Sequence, residues 1–301
     1  MIWVTWRQHR TEAIVAGTLM ALSALFLLVT GMELRRIFLQ DGRNGVEYFA
    51  ATFPFIAIHI LPFLLGVFVG APLVSQELER GTYRLAWTQG IPREQWFKSK
   101  LNLVGGATLV AALILAGVMN WWNQPVNETI GPWATFDANG IVLISYGLFG
   151  LTLGIALGTI LGKPVGAMAL FVPIFPMVRL FFFWLRQYYL PPMSVLWNYT
   201  GENPIDQLGK IWILKQNFID QFGKPITSDL VFKACRPSSI LAYALNPDLF
   251  SCFRENGFSI LVSYQPVERF WLFQGVESLA FLALAASLVG LTVWWLKKKI
   301  S

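Results

Sequence analysis

Six apolar runs, each close to the length that crosses a bilayer, constrain this chain more than any other feature of its sequence. They extend from Ala13 to Gly31, Phe53 to Val74, Leu101 to Trp122, Gly140 to Leu161, Val165 to Leu185 and Phe270 to Leu296. In hydrocarbon a backbone must satisfy its own hydrogen bonds, which about 20 apolar residues wound as an α-helix achieve. Only 13% of the chain is charged, about half of what dresses the surface of a soluble protein, so lipid must cover much of the exterior. The sequence therefore predicts an all-α integral membrane protein with six transmembrane helices, forming a single transmembrane domain over residues 1–301. The first run has no small-residue cleavage site and is expected to remain as an anchor.

Lysine and arginine in short connections mark the cytoplasmic side. With the N-terminus inside, the inner set comprises Arg7, Arg10, Arg80, Arg84, Arg93, Lys98, Lys100, Lys163, Lys297, Lys298 and Lys299, whereas the short outer loops hold Arg35, Arg36 and Arg43. Both termini are expected in the cytoplasm. Trp121, Trp122, Trp271, Trp294 and Trp295 fall at the ends of runs, where amphipathic rings favour the interface. Trp3 and Trp6, followed by Arg7, His9 and Arg10, suit a short N-terminal helix lying on the inner surface; a frayed basic tail is the alternative. The net charge of +6 is spread over the ends of apolar runs and builds no basic face, so no nucleic-acid partner is expected.

The inner connection over residues 75–100 is too structured for a tether. Glu77, Glu79 and Arg80 end at Gly81, a helix stop, and Thr82 is placed to cap a second short helix through Trp87. Gly90 and Pro92 follow, then Arg93 to Lys100 leads into the third run. Two short helices in a hairpin make a rigid knob able to pass force from a soluble partner into two membrane helices.

The run Glu77-x-Glu79-Arg80-Gly81-Thr82, with Arg84-Leu85, Thr88-Gln89 and Pro92-Arg93 behind it, resembles the coupling segment of ABC-2-type transporter permeases. Thr5-Trp6-Arg7-Gln8-His9-Arg10 and the stretch from Tyr264 to Glu277 resemble one bacterial branch of that family. The resemblance implies a multi-pass protein of the bacterial cell membrane, the permease subunit of an ATP-driven exporter. It implies docking of Glu77, Glu79, Gly81, Thr82, Arg84 and Arg93 at or near a groove of a separate cytosolic ABC ATPase. It also implies a path built with a second permease copy or a related permease, in contact with membrane lipid. The chain is not expected to be an enzyme by itself. The nearest approach to a phosphate loop, Gly162-Lys163, has Leu157 at the first glycine position and Pro164 where the hydroxyl belongs. ATP and Mg are accordingly expected on the partner, and no cofactor, metal or catalytic residue on this chain.

The connection over residues 186–269 is roughly eighty residues long, far beyond an unstructured loop, and should fold outside the membrane. It carries the chain's two cysteines, Cys235 and Cys252. An oxidising exterior makes a disulfide between them the expectation, with two buried thiols as the alternative. The sequons at Asn127 and Asn198 fall on expected outer loops and carry no weight if the source is bacterial, as the resemblance implies.

Within the runs, Gly150, Gly154, Gly158 and Gly162 recur every fourth residue and predict a close helix-packing seam, echoed by Gly66 and Gly70. Arg179 and Glu277 are charges inside apolar runs, which are costly and therefore point to function or to pairing. Their matched depth predicts that they pair, as a structural clamp or as part of a substrate path, with His59 of the second run near the same depth. Pro173 and Pro176 should break or kink the fifth helix. A secondary transporter, a membrane enzyme, and a membrane sensor or immunity protein with an outer receptor domain are the competing readings. The first lacks a row of intramembrane carboxylates and the second lacks a zinc motif.

Overall fold

The computed structural model describes residues 17–18, 21–42, 45, 62–88, 90, 92–197, 210–235 and 252–298. The expected surface helix with Trp3, Trp6, Arg7, His9 and Arg10, the second sequon at Asn198, and His59 lie outside the described residues. In chain order the helices are α1 (21–42), α2 (Ala71–Arg80), α3 (Tyr83–Thr88), α4 (Arg93–Thr129), α5 (Val142–Leu161), α6 (Pro164–Leu185), α7 (Ser228–Cys235) and α8 (Phe270–Lys298). The strands are β1 (Met193–Trp197), β2 (Trp212–Ile219), β3 (Pro225–Ile226) and β4 (Ser259–Gln265). The chain divides into two compact units. The helical unit takes Met1–Ile130, Thr135–Arg186 and Trp271–Ser301, and the sheet unit takes Gly131–Ala134 and Gln187–Phe270.

Four helical stretches among the described residues are long and apolar enough to cross a membrane: Arg93–Thr129, Pro132–Leu161, Pro164–Tyr188 and Val267–Lys298. They contain the third to sixth apolar runs. α4 extends well past both Leu101 and Trp122, to a length of about 55 Å at 1.5 Å per residue. α1 continues beyond Gly31 to residue 42, so Arg35 and Arg36 stand on a helix and not in a loop. α6 runs unbroken through Pro173 and Pro176, and the expected break is absent.

α5 lies at the centre of the helical unit. Most of it is buried, whereas α4, α6 and α8 are each buried along a narrow stripe. The stripe on α8 comprises Phe273, Gln274, Glu277, Ser278, Phe281, Ala285, Thr292 and Leu296, while Leu272, Val276, Leu279 and Leu282 face outward. Polar residues mark the protein-facing side, as expected where the surrounding solvent is lipid.

α1 packs on α4 through Leu27, Leu34, Met119, Trp122 and Val126. Pro125 interrupts the hydrogen bonding of α4, because its nitrogen cannot donate to the Trp121 carbonyl one turn earlier. Arg35 of α1 supplies the missing donor, its Nη2 lying 2.7 Å from that oxygen, and its guanidinium covers the Trp121 ring at 4.5 Å.

The sheet unit corrects the all-α expectation for the chain, since the segment expected to fold over residues 186–269 carries strands. Its strands form an antiparallel sheet in the order β1-β4-β2-β3. β4 reads Ser-Ile-Leu-Val-Ser-Tyr-Gln and buries Ile260, Val262 and Tyr264 on one face, the alternation of a half-covered strand. Val231 of α7 and Phe253 cover that face, packed with Val195, Trp197, Phe218 and Phe258. Cys235 and Cys252 are joined by a disulfide, as expected, with their Cα atoms 5.8 Å apart. The β2–β3 turn is held by Asp220, whose Oδ1 accepts the backbone N–H of Phe222 at 2.9 Å and of Lys224 at 2.8 Å.

Candidate functional site

The segment joining α2 to α4 is a bend built from three stops. Gly81 ends α2 in the left-handed conformation at φ +69°, its N–H donating to the Leu78 carbonyl at 3.3 Å. Gly90 closes α3 at φ +80°, and Pro92, at φ −59°, precedes the first residue of α4. Positive φ strongly favours glycine at the two turns.

The candidate docking residues separate into two groups. Glu79, Thr82 and Arg84 are exposed, together with Arg80. Glu77 and Arg93 are half-buried and turn toward the helices beneath the exposed set. Glu77 accepts from Lys100 at 2.6 Å, and the lysine ammonium, almost fully buried, also lies 5.1 Å from the Trp96 ring centre. Arg93 sits 4.5 Å over Trp87 and donates to the Leu296 carbonyl at 3.3 Å. A buried ammonium requires a nearby anion, and Glu77, 23 residues earlier, provides it. Beside Arg93, Glu94 bridges Lys98 at 2.7 Å and Lys297 of α8 at 2.6 Å. Leu73 and Val74 of α2, Trp96 and Phe97 of α4, and Leu296 of α8 belong to one buried cluster.

At the other end of α8 lies a cluster of two cations and two carboxylates. Arg186, in the turn Arg186–Tyr188 that follows α6, forks onto Glu277, with Nε 2.8 Å from Oε2 and Nη2 2.9 Å from Oε1. Its Nη2 also reaches Asp137 Oδ1 at 2.6 Å, and its guanidinium stacks 3.8 Å from the Phe136 ring centre. The Tyr146 hydroxyl contacts Glu277 Oε1 and, at 2.9 Å, Asp137 Oδ1, sharing its one hydrogen between two carboxylates. Arg179 lies 3.5 Å from Asp137 and 3.2 Å over the Tyr146 ring. Arg179 and Glu277 lie in one cluster and interact electrostatically within it, with Arg186 supplying the fork on Glu277 and Arg179 standing beside Asp137. The four formal charges cancel, which is how buried ions escape the penalty of an isolated charge.

Asp137, Tyr146 and Arg186 were not singled out by sequence. Arg186 falls one residue past the fifth run, and Asp137 lies between runs. The available signal was the row Asn120, Asn123 and Asn127 on α4. Asn123 donates to the Ala138 carbonyl at 3.1 Å, Asn127 Oδ1 accepts from Thr135 at 2.8 Å, and Asn120 Oδ1 accepts the Gly140 N–H at 3.2 Å. Gln274 of α8 completes the turn by accepting from the Val142 N–H at 3.1 Å and donating to the Phe136 carbonyl at 2.8 Å.

The glycine seam on α5 meets the helix that leads into α2. A Cβ on Gly150 would lie 2.6 Å from the Pro62 carbonyl, one on Gly154 2.7 Å from the Ala71 nitrogen, and one on Gly158 would overlap the Ala71 carbonyl. Gly66 and Gly70 face the same seam, within a π-helical turn, Leu65–Gly70. Gly162 does not belong to it. It ends α5 in the left-handed conformation at φ +65°, with open space where a Cβ would stand.

Long apolar helices with outward-facing leucines, an internal glycine seam and a neutral buried ion cluster define a multi-pass membrane protein. The family model described as ABC-2 membrane transporter related matches residues 15–186, and the chain belongs to that family. No curated protein and no solved structure gives a significant match.

Proposed function

We propose that this chain is the membrane-spanning permease subunit of an ATP-driven ABC exporter in a bacterial cell membrane. In this reading it crosses the bilayer six times with both termini in the cytoplasm and residues 186–269 outside. ATP and Mg are bound by a separate ABC ATPase, and a second permease copy or a related permease completes the path within membrane lipid. Family membership supports the permease role. The observation that carries the coupling role is the glycine-stopped bend between α2 and α4, which presents Glu79, Arg80, Thr82 and Arg84 on a base held by the buried Glu77–Lys100 pair. The base gives the corner a fixed shape, and the exposed residues give it charge for a partner to read.

The test is co-expression of the chain with the P-loop ATPase encoded nearest to it, followed by purification through a tag on the permease and reconstitution. The reading expects a stable complex whose ATPase activity responds to a transported compound. A permease that never retains an ATPase would favour a membrane sensor.

A further inference from the structure

Three features of the helical unit are continuous with one another. At one end, α8 is fastened to the docking segment. The last carbonyls of a helix lack intrahelical donors, and Arg93, at the first position of α4, donates to that of Leu296 at 3.3 Å. Lys297 pairs with Glu94 at 2.6 Å, and Leu296 is buried in the cluster shared with α2 and α4. Between its ends α8 is one proline-free helix. Glu277 and Leu296 are nineteen residues apart, about 28 Å along the axis. At the far end Glu277 is fully buried and held by the Arg186 fork.

α6 is built differently. Pro173 and Pro176 lie just before Arg179 and each removes a backbone donor. A proline-free rod fastened to the docking segment therefore meets, at the ion cluster, a helix weakened one turn away.

We propose that α8 carries movement of the docking segment to the ion cluster, so that the Glu277–Arg186 fork is broken and remade during the transport cycle. This rests on the permease reading above. Arg93 and Glu94 are then positioning residues: they act through α8 and need not touch ATPase or substrate. A neutral cluster suits such a clasp, since separating its halves exposes charge on both sides and makes intermediate positions unfavourable.

The test uses spin labels at Leu180→Cys on α6 and Leu279→Cys on α8, both outward-facing. The disulfide-bonded Cys235 and Cys252 do not take the label. The distance between labels is measured in the complex with its ATPase, without nucleotide and with ATP trapped. The proposal expects a shift in the distance distribution on trapping, lost in the Arg93→Ala/Glu94→Gln double variant while that variant still retains the ATPase. An unchanged distance on trapping overturns the proposal, and so does a shift that survives in the double variant. Failure of the unlabelled wild-type chain to retain an ATPase overturns the permease reading itself, a result distinct from both.

Discussion

Arg35 donates to the carbonyl of Trp121 at 2.7 Å, the acceptor that Pro125 leaves without its helical donor. A cation on α1 thereby repairs a gap in α4, and the two helices are joined by it. Hydrogen bonds from charged donors are worth about 1.5–3 kcal/mol, so Arg35→Met is expected to lower thermal stability in detergent by an amount in that range. Pro125→Ala restores the internal donor. In the double variant the loss should shrink to less than half, a non-additivity that a double-mutant cycle measures directly.

The ion cluster should respond asymmetrically to single and paired changes. Glu277→Ala leaves Arg186 buried beside one carboxylate and is expected to cost about 3–5 kcal/mol. Replacing Arg186 and Glu277 together with methionine keeps the remaining Arg179–Asp137 pair neutral and should cost clearly less. Denaturation of the purified variants by a single probe of helix content ranks them. Equal losses would mean that the cluster is not electrostatically coupled.

The legibility of this cluster from sequence was uneven for a physical reason. Glu277 stands out because a carboxylate within an apolar run is rarely tolerated. Its partner does not stand out. Arg186 lies beyond Leu185, where the apolar run stops, and only the extra turn Arg186–Tyr188 brings it back onto Glu277. Depth matching points to Arg179, which stands in the same cluster beside Asp137 and Tyr146 and interacts electrostatically with Glu277. The glycine seam was legible for Gly150, Gly154 and Gly158, since four-residue spacing places them on one face. Gly162 kept the spacing but serves as a helix stop, a difference set by its backbone conformation. The sheet of residues 193–265 went unread because its strands are short. β4 nevertheless carries a visible alternation, with Ile260, Val262 and Tyr264 on the buried face.

The disulfide fastens α7 to residue 252 beside the core of Val231, Phe253, Ile260 and Val262. Its loop separation of 17 residues corresponds to about 3 kcal/mol in the chain-entropy account. Cys235→Ser/Cys252→Ser is expected to speed amide exchange in β4 and leave exchange in α5 unchanged. Faster exchange in both would show that the sheet unit and the helical unit unfold together.

Gly81 tests the bend itself. Its φ of +69° costs a non-glycine residue about 1–2 kcal/mol, and open space surrounds it. Gly81→Val should therefore insert normally in the membrane yet bind the ATPase less well, because strain and not a clash alters the turn. Binding equal to wild type would mean that the corner tolerates a different shape.

The most direct measurement of the coupling role is the amount of ATPase that co-purifies with charge-reversed permease. Arg80→Glu/Arg84→Glu changes only exposed side chains, while Glu77→Gln removes the anion from buried Lys100. The account predicts that the arginine pair variant keeps wild-type thermal stability and loses roughly tenfold in retained ATPase, as docking charges govern complementarity. It predicts that Glu77→Gln loses stability as well. An arginine pair variant that retains the ATPase as fully as wild type would contradict the assignment of this corner as the docking site.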